Sequence, residues 1–330
     1  KYKGNKWGGK FLRAPDILFK VLEKGQSDFK PLENVAKDVK RGVTTGANKF
    51  FYVEDVASSI SSEEFQRVKN RRGVDYSEFD ENEDLRAIKF NEDFYLVESK
   101  YLTNVIKSPK ECSSMKTSQG KYKYKILMVD KNADVDSSYL SDYIERGEEE
   151  EYNERRTLSS RNPWYAIERD RPPEIITPCG IGSTYKVYLN DADLMTDKRL
   201  YEVYSDREDK LATVLNSAIY MLTQELNSRV GLGDGLLDLT VYEVEETLIP
   251  DPDILEDSKV LEREINSVFD EFGIERNKPI REQEPSPLSD RKELDDIVFD
   301  ALGLSEDERK EVYWSVAELV KARLDKAESV

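Results

Sequence analysis

"LENVAKDVKRGVTTGANKFFYVED", residues 32–55, sets a run of small and polar residues between two apolar stretches. Val35, Val39 and Val43 lead into Thr44-Thr45-Gly46-Ala47-Asn48, and an aromatic run at 50–53 follows. Branched and aromatic side chains fit a pleated surface, while Gly and Asn accept the backbone angles of a tight turn. The stretch therefore predicts a strand-turn-strand unit with a polar tip. Gly46 and Asn48 suit the tip through their backbone freedom. Thr44, Thr45 and Asn48 also bring hydroxyl and amide groups to it, which both donate and accept hydrogen bonds.

Upstream, "RAPDILFKVLEKG" at 13–25 reads as a short helix, with Pro15 near its first turn, Ile17, Leu18, Val21 and Leu22 on one side and Gly25 as its stop. Downstream, segments rich in Val, Ile and Tyr predict strands at 122–129, 174–177, 184–189, 199–204 and 237–244. Helical spacing of apolar residues predicts helices at 99–107, 138–150 and 207–229, and a further helix at 254–272. "GIERNKPIREQEPSPLS", 273–289, has the composition of a polar linker. The chain then ends in two amphipathic helices around Gly303. Ser305 and Glu308 form a capping box for the second, whose Val312, Val316, Leu319, Val320 and Leu324 make one apolar stripe. The expected architecture is mixed α/β, a twisted and largely antiparallel sheet with packed helices over 1–250, followed by a helical extension over 251–330.

Composition narrows the chemistry. The 330 residues contain no histidine, which removes His-based triads and mixed Cys/His zinc sites, and no Asp-rich loop has the spacing of a calcium site. No metal is expected. The two cysteines, Cys112 and Cys179, are expected to be free thiols in a reducing, cytoplasmic setting. No apolar run approaches the length of a membrane span. The first residue is Lys1, and the chain is expected to be part of a larger soluble protein.

A net charge of −18 argues against a polyanionic partner, but the charge is unevenly spread. Residues 1–50 hold 12 Lys and Arg against 5 Asp and Glu, and residues 100–131 hold 8 against 2. Residues 246–330 hold 12 against 24. The two basic segments make DNA a candidate partner, with Lys40, Arg41, Lys49, Lys121, Lys123 and Arg161 as candidate phosphate contacts and Thr44, Thr45 and Asn48 as candidate base readers. Ordinary solvated surface charge and a plain hairpin turn are the competing explanations for these residues.

Two short motifs mimic parts of a methyl-transferring enzyme. "NPWY" at 162–165 is similar to the Asn-Pro-Pro-Tyr turn of amino-methylating DNA methyltransferases, but Trp164 replaces the second Pro that would rigidify the turn. "GLGDG" at 231–235 follows a predicted helix and precedes a strand, the reverse of the strand-loop-helix order of a cofactor loop. Trp164 and Tyr165 are better placed to support the loop, stack on a displaced base or fill the core.

Seven blocks, taken in order, carry a broader likeness. "KFLRAPDILFKVLEKG", "GVTTGANKFFYV", "ESKYLTNVIKSPKE", "YKILMVDK", "SSRNPWYAIERDRPPEIITPCGIGSTYKVYLN", "LATVLNSAIYMLTQEL" and "GLGDGLLDLTVYEVEETLIPDPD" resemble the target-recognition region of adenine-N6 DNA methyltransferases, including single-chain restriction-modification enzymes. The resemblance spans residues 6–255. It implies double-stranded DNA as partner and a catalytic, S-adenosylmethionine-binding domain N-terminal to this region, with no catalytic residue here. It also implies a role in restriction-modification or phage defence. Two alternatives remain open at this stage: a separate specificity subunit serving a methylase chain, and a protein-interaction module docking through the C-terminal helices.

Overall fold

The computed structural model describes residues 14–120, 122–168, 171–230 and 235–329. In chain order its strands are Phe29–Pro31 (β1), Asp38–Arg41 (β2), Tyr52–Asp55 (β3), Val68–Lys69 (β4), Leu85–Phe90 (β5), Asp93–Glu98 (β6), Leu102–Ile106 (β7), Tyr124–Leu127 (β8), Ile175–Pro178 (β9), Gly180–Ile181 (β10), Tyr188–Leu189 (β11), Met195–Thr196 (β12), Leu200–Tyr204 (β13), Arg229–Val230 (β14), Leu237–Asp238 (β15) and Leu248–Pro250 (β16). The helices are Asp16–Gly25 (α1), Asn48–Phe51 (α2), Ser62–Phe65 (α3), Tyr76–Asp80 (α4), Ser141–Glu149 (α5), Glu208–Asn216 (α6), Ala218–Asn227 (α7), Val241–Glu245 (α8), Val268–Phe272 (α9), Ser289–Ala301 (α10) and Glu306–Glu328 (α11).

Two sheets dominate. One is a four-stranded antiparallel sheet in the order β11-β9-β13-β2; the other has seven strands in the order β12-β7-β8-β3-β5-β6-β4 and is antiparallel except at its two edges. Smaller sheets pair β1 with β16 and join β10, β15 and β14. The architecture is mixed α/β with mostly antiparallel sheets and a helical C-terminal region, as the sequence predicts.

The opening stretch does not form a hairpin. β2 pairs with β13 in the four-stranded sheet, whereas β3 pairs with β5 and β8 in the seven-stranded one. The Thr44–Asn48 turn thus carries the chain from one sheet to the other. Phe50 and Phe51 lie in α2 rather than in a strand; both are buried, and the N–H groups of both donate back to the Ala47 carbonyl, at 2.9 and 3.1 Å, closing a helical turn.

Other departures also have local causes. Residues 102–106 form a strand, not a helix; both faces of β7 are covered, Val105 by the core of Phe50 and Tyr143 and Ile106 by Tyr188, Leu194 and Leu200, so the pattern loses its alternation. The long helix at 207–229 is two, broken at Ser217, whose extended backbone ends α6 and whose Oγ accepts from the Tyr220 N–H to cap α7. At 237–244 only β15 is strand, since Thr240 and Glu243 form a capping box that starts α8. Within 184–189 only β11 pairs; the Asn216 side chain takes both Val187 backbone groups, 2.9 Å to N–H and to C=O, in place of a neighbouring strand.

The predicted helix at 254–272 reduces to the short α9. Before it, the Leu261 carbonyl accepts from Met115 and the Ile265 N–H donates to Ser113, so this segment runs beside residues 113–115. The polar stretch 273–289 is anchored rather than free, through buried Ile274 and Ile280 and a bond from Trp314 Nε1 to the Gln283 carbonyl at 2.7 Å.

The C-terminal helices are built as predicted. Ser305 and Glu308 form the capping box of α11, and Lys24 of α1 reaches Glu308 at 2.6 Å. Val312, Val316 and Val320 are fully buried in one core with α1, α6 and α7, with Leu319 and Leu324 packed against it. The stripe is therefore part of the core of the body. No helix among the described residues is long and apolar enough to cross a membrane.

Candidate nucleic-acid interface

The crossing from β2 to α2 is clamped along its length. At its start the Val43 N–H donates to the Thr196 carbonyl and the Val43 carbonyl accepts from Lys198, at 2.8 and 3.0 Å. Gly42 permits this approach, because a Cβ there would lie 2.4 Å from the Asp197 carbonyl oxygen. At the tip, Gly46 has φ 79°, a conformation that favours glycine, and rests on Thr157 and Leu158. Arg161 Nη2 donates to the Thr44 carbonyl at 2.6 Å.

These clamps decide what the tip presents. Thr44 and Asn48 are exposed. Thr45, expected at a base edge, is instead buried, and its hydroxyl donates to Asn48 Oδ1 at 2.5 Å. Its effect outside the protein is to fix the Asn48 amide.

Around the start of the crossing lies a group of cations drawn from four strand ends. β7 and β12 run parallel, pairing Ile106 with Thr196, so Lys107 and Asp197-Lys198-Arg199 leave the sheet at one edge. Arg41 ends β2 and donates from Nε to the Lys198 carbonyl at 2.7 Å; Lys123 precedes β8. Asp197 is nearly inaccessible and accepts from the Tyr52 hydroxyl at 2.7 Å and from Arg199 Nε at 3.1 Å. Lys107 Nζ lies over the rings of Tyr124 and Tyr52, 3.6 and 5.0 Å from their centroids. Burial lowers the pKa of Lys107 against the upward pull of Glu111 and Asp197, and the charges of Arg199 and Lys123 add to the lowering.

The remaining expected contacts are dispersed. Lys40 pairs with Asp38 at 2.6 Å and Lys49 lies over the Phe90 ring, whereas Lys123 stays with the group and also pairs with Glu54 at 3.3 Å. Lys121, like Gly231 and Gly233 of the glycine-rich stretch, lies outside the described residues. Arg161 is half-buried against the Thr44 carbonyl and Phe51, and burial lowers its pKa; it braces the loop. Arg155 and Arg156, on the same segment, are exposed.

Trp164 is buried against Phe50, with ring centroids 4.9 Å apart, and its Nε1 donates to Glu148 at 3.0 Å. Tyr165 packs edge-on against it. Trp164, with Tyr165 packed against it, thus belongs to the aromatic core of Phe50, Tyr143 and Tyr152, beneath the crossing, while Asn162 is exposed. The glycine-rich stretch connects the antiparallel strands β14 and β15 and opens no helix, so it lacks the setting of a cofactor loop.

Two sheets joined by a braced, cation-flanked loop make up a mixed α/β domain, and comparison with known proteins places it more closely. The family model of the type II methyltransferase M.Eco57I C-terminal domain matches residues 74–276, and the chain belongs to that family. The type II methyltransferase M.AccI of Acinetobacter calcoaceticus is 26% identical over 191 residues, covering 54% of this chain and 29% of that protein. The crystal structure of the type IIG restriction endonuclease BpuSI has the same fold with a TM-score of 0.53 and 11% identity, covering 94% of this chain and 33% of that one. The chain therefore spans about a third of the length of the proteins it matches.

Proposed function

We propose that this chain is the DNA-recognition portion of an S-adenosylmethionine-dependent adenine-N6 methyltransferase in a restriction-modification system. Family membership supports the methyltransferase assignment. The observation that carries the DNA reading is the grouping of Arg41, Lys107, Lys123, Lys198 and Arg199 beside an exposed, braced loop in a chain of net charge −18. Phosphate contacts from this group would set position, and Thr44 and Asn48 would meet base edges. Methyl transfer, and the S-adenosylmethionine that supports it, belong to a catalytic domain outside this chain, which is the other expected partner.

The test is selection from a pool of random duplex DNA over a salt series, followed by sequencing of the retained molecules. An enriched motif with a fixed adenine, weakened in Thr44→Ala and Asn48→Ala, is the expected result. Absence of retention even at low salt would overturn the reading, since phosphate-dominated affinity is greatest there.

A further inference from the structure

Most arginines of this protein are satisfied by carboxylates. Arg263 lies between Glu271 and Asp290, Arg276 reaches Asp325 and Glu328, Arg281 reaches Glu311 and Glu318, and Arg309 reaches Asp296 and Asp300. Against that background Lys107 and Arg199 stand out. No carboxylate comes within ion-pair distance of the Lys107 ammonium among the described residues, although Glu111 accepts from the Lys107 backbone N–H at 3.1 Å, and Arg199 has only Asp197, which faces inward.

We propose that Lys107 and Arg199 form one preassembled site for a single phosphodiester group of the DNA backbone. The inference rests on the DNA-recognition reading above. Arg199 is fixed on three sides: its backbone N–H and Nε each lie 3.1 Å from Asp197 Oδ1, and Nη2 donates to the Lys107 carbonyl at 3.0 Å. More than half of its side chain is nonetheless exposed, and Nη1 is uncommitted among the described residues. Lys107 is steered by the rings of Tyr124 and Tyr52, and the latter is itself tied to Asp197.

Two cations held side by side repel one another in the free protein, and an anion bridging them removes that repulsion. An ammonium and a guanidinium edge together also suit the several acceptor oxygens of a phosphate. Because both side chains are already ordered, little conformational entropy remains to be lost when it binds.

The test is the salt dependence of duplex DNA binding by the full chain carrying Lys107→Gln, Arg199→Gln or both, with Lys326→Gln as a remote control. Each phosphate contact contributes about 0.9 to the slope of log K against log salt. If the two side chains share one phosphate, the double variant lowers the slope by about 0.9 and neither single variant lowers it by more, since the remaining cation still meets the same phosphate. An additive fall of about 1.8 would assign two separate contacts and overturn the shared site. An unchanged slope with binding intact would overturn the site while leaving the DNA reading in place. If the unsubstituted chain binds at no salt concentration, the DNA reading itself fails. Lys107→Gln removes no side-chain hydrogen bond among the described residues, so a Lys107→Gln chain that binds duplex DNA at low salt as tightly as the parent would overturn the site even should Arg199→Gln fail to fold.

Discussion

The hydroxyl of Tyr52 donates to Asp197 Oδ2 at 2.7 Å where the chain passes from β12 of the seven-stranded sheet to β13 of the four-stranded one. Asp197 also receives Arg199 and, through its backbone, neighbours Val43. One carboxylate therefore joins the β2–α2 crossing, the β12–β13 connection and the start of β3. Burial raises the pKa of the Tyr52 hydroxyl, and the bond to Asp197 raises it further, so the donor keeps its proton through alkaline pH.

Tyr52→Phe removes the hydroxyl and leaves one oxygen of a buried carboxylate short of a donor. A hydrogen bond to a charged group contributes roughly 1.5–3 kcal/mol. The expected result is a lower urea midpoint with an unchanged denaturant slope. A midpoint equal to that of the parent would mean that the bond does not join the two sheets.

Trp164 fills the aromatic core below the crossing, between Phe50 and the backbone of Gly147, where even an added Cβ would lie 2.6 Å from both rings. Trp164→Ala is expected to lose about 3–5 kcal/mol of stability through the cavity it opens, and Trp164→Phe considerably less. At conditions where Trp164→Phe is fully folded, its DNA affinity should match that of the parent. A large loss of affinity in this folded variant would instead make the indole a direct DNA contact.

The parts of the fold that the sequence discloses are those whose cause is local. The capping box and stripe of α11 and the short amphipathic α1 depend on residues a few positions apart, and both appear where expected. The departures arise where the deciding partner is distant. Val105 and Ile106 lose strand alternation because distant residues cover both faces of β7, Tyr143 and its neighbours on one side and Tyr188, Leu194 and Leu200 on the other. The candidate interface follows the same rule. Arg41 and Lys123 fall in segments whose basic composition is visible, and Lys107 lies in one of them. Lys198 and Arg199 are an unremarked basic pair in sequence, brought to Lys107 only by the parallel pairing of β7 with β12. The inward turn of Thr45 had no signal beyond its position, since a threonine suits either side of a turn.

Arg323 of α11 and Glu225 of α7 form an ion pair with almost no solvent access, 2.9 Å from Nε to Oε1. Arg323 also donates to the carbonyls of Gly235 and Gly182, both at 2.5 Å, and Tyr185 bonds to Glu225. Arg323→Ala would strand Glu225 in the core and is expected to destabilise by about 3–5 kcal/mol. Adding Glu225→Gln should recover part of that loss. A double variant less stable than the single one would show that the stranded charge is not the cause.

Asp295 is fully buried in α10, where burial pushes its carboxyl up to about 6 against the opposing pull of Arg291, the Ala218 N–H and the Tyr313 hydroxyl. In the unfolded chain an aspartate titrates near 3.9. Between these values the folded protein retains a proton that the unfolded chain has released, so raising the pH favours unfolding. Its contribution is full below about pH 4 and gone above about pH 6, a change on the order of 3 kcal/mol. Asp55 and Asp290 act in the opposite sense. For Asp55 burial works upward but is outweighed by Arg86, the Ala57 N–H and Lys125; Asp290 is held low chiefly by Arg263. Their contributions are lost as the pH falls through their lowered values, so stability climbs out of acid before Asp295 bends it down. Urea unfolding of the parent and of Asp295→Asn from pH 4 to pH 7 isolates the effect. The stability of the parent relative to the variant should fall by on the order of 3 kcal/mol across that range. A difference independent of pH would show that Asp295 is ionised in the folded protein throughout, with Arg291 outweighing the effect of burial.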